Sequence, residues 1–338
     1  DIRGNGGGSL EEVRRMTGFF TGSCPVVQEK NTLGQVKVSA SDDKDASYDG
    51  PLAVLINKGS ASASEMLAGA LQDCNRAVIV GDSSTFGKGT VQEPMDVSKM
   101  LPFFSARDGA GMLKLTIRKF YRPSGSSTQL EGVASDVVLP GPADSVEIGE
   151  RFLPHAFPHD SINPAPGLKT LERKALYIDR LRELSGKRVS ADKDFSYYAQ
   201  DTKRAEERRK KNAVSLNLEE RRKELFELDA RQEKRDAERR ERFKAVAEQD
   251  AKTLKLSKLT LDDLASDAPF HAYEPGKETD EYIRRAKDPI AELNDSPEWP
   301  NGLDPIEREG FKVLDDLITA TKDGSVAGGL EKKAEGLH

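Results

Sequence analysis

The chain has 338 residues, 36% of them hydrophobic and 33% charged, with 52 Lys plus Arg against 58 Asp plus Glu and a formal net charge of -6. That length suits two domains of ordinary size, and the acidic balance gives no electrostatic case for a nucleic-acid partner. Two cysteines, Cys24 and Cys74, are too few for a disulfide framework or a Cys-rich zinc site and leave one bridge open, while no apolar run reaches the ~18 residues needed to span a bilayer.

In chain order, Asp1-Ile-Arg-Gly-Asn-Gly-Gly-Gly8 reads as the end of a strand running into a glycine turn. We expect a part of the protein to precede it, so no compartment is inferred from the lack of a leader. A helix is expected from Leu10 to Thr17, with Ser9 as N-cap and Glu12 completing a capping box. Ser39 to Gly50 is acidic and reads as a loop or hairpin tip. Pro51 to Asn57 reads as a buried strand, Ser62 to Gln72 as a helix and Ala77 to Gly81 as a second buried strand. Met112 to Tyr121 alternates apolar and polar residues, as a half-buried strand does. Strands alternating with helices predict a mixed α/β domain.

Pro140-Gly-Pro142 closes that domain, giving boundaries of 1–142 for the core, 143–167 for an extended Pro-rich connector and 168–338 for a charged, mainly α-helical domain. A final amphipathic helix is expected from Pro305 to Thr321, with Phe311, Leu314, Leu317 and Ile318 on one side; Lys322 to His338 reads as a frayed tail. A charged helix alone is marginal in water. The helical half is therefore expected to pack on the core through sparse apolar residues such as Leu216, Leu225, Phe226 and Leu228.

Two segments carry chemistry. Ser60, Ser62 and Ser64 lie where a strand leads through Lys58-Gly59 into a helix. Such a stretch reads either as a helix cap or as a nucleophile at a sharp turn beside backbone N–H groups and the positive helix end. Lys88 stands between Gly87 and Gly89, after Phe86. It reads either as an exposed loop lysine or as a base, since burial lowers a lysine pKa. A serine with a lysine is one variant of acyl-transfer chemistry. A phosphate loop fails on spacing, because Gly81 lies one residue too far upstream and Gly89 occupies the position of the required Ser or Thr. Gly4-Asn5-Gly6 fails as a dinucleotide fingerprint, with Ser9 where the last glycine belongs. His155 and His159 are separated by Pro158, His271 is isolated and His338 is terminal, so no metal site and no cofactor is expected. The Arg/Lys runs at 208–211 and 221–223 are interleaved with acids and read as solvated helix faces.

Four blocks then occur in order: Asp1 to Gly8, Ser60 to Asp73, Val80 to Gln92, and Phe120 to Gln129. Together they resemble the carboxyl-terminal processing proteases, of the long tail-specific type found in Gram-negative-type bacteria. Asn212 to Asn217 and the closing Asp304 to Ile318 helix resemble, more loosely, the C-terminal region of that type. The resemblance implies a protease core of the crotonase/Clp-protease-like type. It implies an ATP-independent serine endopeptidase with Ser62 as nucleophile, Lys88 as general base and Gln92 assisting. The oxyanion donors would be the backbone N–H groups of Ala63 and Gly7. The loop from Gly81 to Phe86 is one residue longer than usual, with Ser83-Ser84 expected to bulge outward, and Gly6 replaces a common proline.

The resemblance further implies protein or peptide substrates with apolar C-termini, an upstream PDZ domain that binds them by strand addition, and work in the periplasm or cell envelope; it names no adaptor protein. The other function class open at this stage is an inactive homologue serving as scaffold or adaptor. Intact Ser62, Lys88 and Gln92 argue against it.

Overall fold

In the computed structural model the described residues are 1–100, 110–168, 176–253, 257–258, 271–272 and 304–322. The expected tail beyond Lys322 lies outside them. The elements of the first half are α1 (Leu10–Thr21), β1 (Pro25–Asn31), β2 (Val36–Ala40), β3 (Ala53–Ile56), α2 (Ala63–Asp73), β4 (Val78–Gly81), β5 (Thr90–Asp96), β6 (Met112–Tyr121) and β7 (Val137–Val138). After them come α3 (Ile178–Ala191), α4 (Lys193–Lys211), α5 (Leu218–Thr253) and α6 (Pro305–Lys322).

The mixed α/β core and the helical region expected from composition are both present. Ser9 caps α1, its hydroxyl accepting the Glu12 N–H at 3.3 Å. The helix runs a turn beyond the expected Thr17 and stops at Gly22, whose φ is 60°. The strands of the first half form two sheets: β2-β1-β6-β5, antiparallel, and β3-β4-β7, parallel. The β1–β2 hairpin and β5 are additional to the elements expected from periodicity. β1 carries polar Gln28 and Glu29 at buried positions, which breaks the period-2 signal.

α2 is the crossover between β3 and β4, so the chain leaves both strands at the carboxyl end of a parallel sheet. Open α/β sheets bind ligands at that end. Val54, Ile56 and Ile79 pack with Val13 of α1, Met66, Leu67 and Leu71 of α2, and Val26, Val27 and Phe120 of the antiparallel sheet. Leu55 points to the opposite face, as strand alternation requires. There it meets Gly310 of α6, where a Cβ would lie 2.5 Å from Leu55 Cδ2. The α6 residues Ile306, Val313, Leu317 and Ala320 are buried at spacings of seven, four and three. Phe311 is exposed, contrary to the expected stripe, because the buried face follows Gly310 and Val313. Arg188 of α3 pairs with Glu309 at 2.7 Å and Asp316 at 2.8 Å on α6.

Compactness places Asp1–Thr202 together with the described part of α6 from Glu309 in one unit, and Lys203–Arg308 in a second. Within the second, Arg308 pairs with Asp250 at 2.8 Å, and Arg235 and Asp236 are buried. Leu216, Leu225, Phe226 and Leu228 are 98%, 53%, 74% and 48% exposed. Further along α5, the buried side chains among the described residues, Arg235 and Asp236, are charged.

Cys24 and Cys74 form a disulfide with Cα atoms 6.7 Å apart, closing a sequence separation of 50. It ties the residue before β1 to the C-cap of α2. A cross-link over a loop of that size stabilises mainly by restricting the unfolded chain. Replacing both cysteines by alanine in the full chain should lower the unfolding free energy by roughly 2–4 kcal/mol, read from urea denaturation; an unchanged midpoint would remove the bond from the stability of the core.

Candidate active site

The turn after β3 is built from Asn57 and the serines. Asn57 Oδ1 accepts the N–H groups of Gly4 (2.8 Å) and Gly59 (2.9 Å), joining the chain start to this turn. The buried Ser60 hydroxyl donates to Ile2 O at 2.7 Å and accepts the Asn57 N–H at 3.1 Å. The Ser64 hydroxyl contacts Asn5 O at 2.9 Å and Asn5 Oδ1 at 3.0 Å. Ser60 and Ser64 thus hold the frame. Ser62, the N-cap of α2, stands between them with φ 57° and ψ −114°. A non-glycine residue held there costs of order 1–3 kcal/mol and persists only where its surroundings over-determine it.

Glu65 supplies much of that determination. It is fully buried and sits one turn into α2. Its Oε2 accepts the Ser62 N–H at 2.7 Å and the Lys88 N–H at 2.9 Å. Its Oε1 accepts the Gly87 N–H at 2.7 Å and the Thr85 hydroxyl at 2.6 Å. Thr85 Oγ1 in turn accepts the Val133 N–H at 2.7 Å, which fixes its own proton on Glu65. One carboxylate therefore joins the serine turn to the lysine loop. Burial pushes its pKa from near 4.5 up to about 7, against the hydrogen bonds from Thr85, Gly87, Ser62 and Lys88, which favour the charged form.

Lys88 is half-buried, and its backbone is held from both sides. Gln92 lies in β5, exposed near the strand's start, opposite Thr116. The register slips between Val91 and Gln92, so Ile117 is an extra residue on β6, and such a bulge re-aims neighbouring side chains. Ser83 is exposed in the loop before Thr85. No hydrogen bond joins Ser62 Oγ to Lys88 Nζ; the two residues are linked through their backbone N–H groups on Glu65.

The oxyanion candidates differ. Ala63 N–H is the first of α2 and has no partner among the described residues, at the positive end of the helix. Gly7 lies against the same turn: a Cβ on it would be 2.7 Å from Ala61 O and Ala63 N and 2.9 Å from Ser62 Cβ, and its φ is 96°. Its N–H, however, donates to Asn5 Oδ1 at 2.9 Å. Among the described residues, no group of three or more His, Cys, Asp or Glu converges as metal ligands would.

Glu65, Thr85 and Asn5 are site residues that the sequence motifs do not single out. Ser62-x-x-Glu65 carries the spacing of a capping box, and that is the available signal for Glu65. Thr85 and Asn5 act through contacts from distant segments and leave no local pattern.

This geometry has two measurable consequences. Between pH 4.5 and 7 the folded chain binds more protons at Glu65 than the unfolded one, so wild-type stability should fall with rising pH relative to Glu65→Gln and then level off above about 7. Urea denaturation of both proteins across pH 5 to 8 reads this difference; a constant gap would mean that Glu65 titrates normally. Gly7→Ala should abolish labelling of Ser62 by a fluorophosphonate, because the added methyl has nowhere to go between Ala61 and Ala63. Wild-type labelling in that variant would place the glycine turn outside the site.

Comparison with known proteins bears on both halves of the chain. Residues 1–139 match peptidase family S41, and residues 143–319 match the C-terminal domain of tail specific protease (DUF3340). The tail-specific protease of Haemophilus influenzae is 39% identical over 273 residues, which are 79% of this chain and 37% of that protein. A carboxy-terminal-processing protease of Bartonella bacilliformis is 40% identical over 144 residues, 42% of this chain and 30% of its own length. The chain thus spans about a third of the length of these curated relatives. Among solved structures, a photosystem II D1 C-terminal processing protease aligns at 34% identity and a TM-score of 0.36, covering 41% of this chain and 33% of that one. With one family match over the α/β core and the other over most of the remaining residues, the chain belongs to the tail-specific proteases of peptidase family S41.

Proposed function

We propose that the protein is an ATP-independent serine endopeptidase in which Ser62 and Lys88 form the catalytic dyad. Ser62 Oγ attacks the scissile carbonyl as the neutral Lys88 amine takes its proton. The resulting oxyanion is held by Ala63 N–H and, once Asn5 Oδ1 releases it, by Gly7 N–H. Collapse of the tetrahedral intermediate breaks the C–N bond, Lys88 returns the proton to the leaving amine, and an acyl-Ser62 ester remains. Water then attacks that ester, with Lys88 as base again. Gln92, beside the bulge, assists by orienting the lysine amine.

The observation that carries this reading is the sharing of Glu65 Oε2 by the Ser62 and Lys88 N–H groups, which sets the two proposed reacting residues in one frame. The names of the relatives, tail-specific and carboxy-terminal-processing protease, favour substrates recognised at their C-termini. On this reading those tails are apolar, and an upstream PDZ domain presents them. The Cys24–Cys74 bond fits an oxidising compartment such as the periplasm.

The test is hydrolysis of an unfolded protein with an apolar tail by the full-length enzyme without ATP. Ser62→Ala and Lys88→Arg should each reduce kcat by at least on the order of 10³-fold. A guanidinium stays charged in this range and cannot act as base. Undiminished hydrolysis by Lys88→Arg would take Lys88 out of the mechanism, and undiminished hydrolysis by Ser62→Ala would refute the dyad altogether.

A further inference from the structure

The lysine loop is held on a second side by residues that the dyad does not use. Leu130 N–H donates to Gly87 O at 2.8 Å. The Thr128 hydroxyl donates to Lys88 O at 2.8 Å. Gly89 N–H donates to Gln129 Oε1 at 2.9 Å. With Gly87 N–H and Lys88 N–H on Glu65, and Gly89 O accepting the Phe120 N–H at 3.0 Å, every backbone polar group of Gly87-Lys88-Gly89 is bonded.

Thr128 and Gln129 are fully buried. The Gln129 side chain also reaches outward: its Nε2 donates to Phe157 O at 3.1 Å and to Glu150 Oε1 at 3.3 Å. Glu150 N–H donates to Phe86 O at 2.9 Å, on the other side of the loop. The segment from Glu150 to Phe157 is therefore hooked to Phe86 at one end and, through Gln129, to Gly89 at the other.

We propose that Thr128-Gln129-Leu130, with Gln129 at its centre, is a positioning clamp for Lys88, and that it couples the lysine loop to the Glu150–Phe157 connector. This rests on the reading of Lys88 as base. The chemistry of the residue fits the position. Gln129 accepts through one atom and donates through another, so it satisfies Gly89 N–H and Phe157 O together. A leucine there leaves both without a partner. A glutamate keeps the acceptor for Gly89 and loses the donor. A lysine amine sits at the end of a long, flexible stem, so its reach to Ser62 depends on where its backbone is fixed. A displacement of about 1 Å in such a group can cost about 10²-fold in rate.

The experiment compares wild type, Gln129→Leu, Gln129→Glu and Lys88→Ala in the full-length protein, using an unfolded substrate with an apolar tail, and records kcat and KM separately. Gln129→Leu should lose roughly 10²-fold in kcat with KM within about threefold of wild type. Gln129→Glu keeps the bond to Gly89 but faces Glu150 Oε1 with a second carboxylate, so its kcat should lie between those of wild type and Gln129→Leu. Wild-type kcat in Gln129→Leu, with only a lower thermal midpoint, would overturn the clamp. If Gln129→Leu does not fold, Thr128→Val takes its place. It removes the donor on Lys88 O and should lower kcat at unchanged KM; wild-type kcat there overturns the proposal equally. An active Lys88→Ala enzyme would defeat the reading of Lys88 as base, whereas an inactive Lys88→Ala beside a fully active Gln129→Leu would defeat the clamp alone.

Discussion

A single buried carboxylate organises the centre of this protein. Glu65 accepts hydrogen bonds from Ser62, Thr85, Gly87 and Lys88, two on each oxygen. Taking a carboxylate out of water is costly unless its charge is met by donors, and here they are supplied by two loops that follow adjacent parallel strands. The arrangement is reciprocal. The loops satisfy the acid, and the acid fixes the loops, including the unusual backbone of Ser62. A pKa near 7 marks a charge whose burial outweighs its hydrogen bonds by a modest margin. Removing one donor would tip it further toward protonation, and a protonated Glu65 would then have to release another.

The second constraint is close approach. Gly7 can lie against Ala61, Ser62 and Ala63 only because it lacks a Cβ and tolerates a positive φ. Asn5 holds that approach from both ends of its residue: its carbonyl accepts the Ala61 N–H at 3.0 Å, and its side chain accepts the Gly7 N–H. The same hydrogen bond that shapes the glycine turn occupies one proposed oxyanion donor. The turn is thus built around Ser62, with Ala63 N–H open and Gly7 N–H engaged. Occupation of the site by a developing oxyanion would compete with Asn5 for Gly7 N–H.

Much of the core was legible because its signals are local. The apolar run that forms β3, the capping residues of α1 and the helical spacing of α2 all lie within a few residues of one another. The Ser-rich and Gly-Lys-Gly segments were legible for the same reason. The illegible parts depend on distant contacts. Gln28, Glu29 and Gln129 are buried polar residues whose partners lie tens of residues away: Gln28 Nε2 reaches Asn163 O at 3.1 Å, and Arg118 reaches Glu29 at 3.0 Å. Periodicity reads such residues as exposed. The Cys24–Cys74 pairing was open for a related reason, since two thiols in a sequence carry no distance. Leu216 and Phe226 failed in the opposite direction, as apolar residues that remain exposed.

The C-terminal region also enters the architecture of the core. Gly310 allows α6 to approach Leu55, on the face of the parallel sheet opposite α2. β3 is therefore covered on both sides, as parallel strands usually are. The strand that leads into Ser62 is sandwiched between the helix the serine caps and a helix that begins at Pro305, far along the chain. Arg188 then fastens α6 to α3, and Arg182 of α3 donates to Asp136 O at 2.6 Å, just before β7. The α/β layer that presents the site is complete only with elements from the charged helical half. Composition alone would have assigned those helices to a separate body. The contacts assign α3 and α6 to the sheet: α3 lies beside β7, Gly310 of α6 lies beside Leu55 of β3, and Val313, Leu317 and Leu181 on these helices are buried.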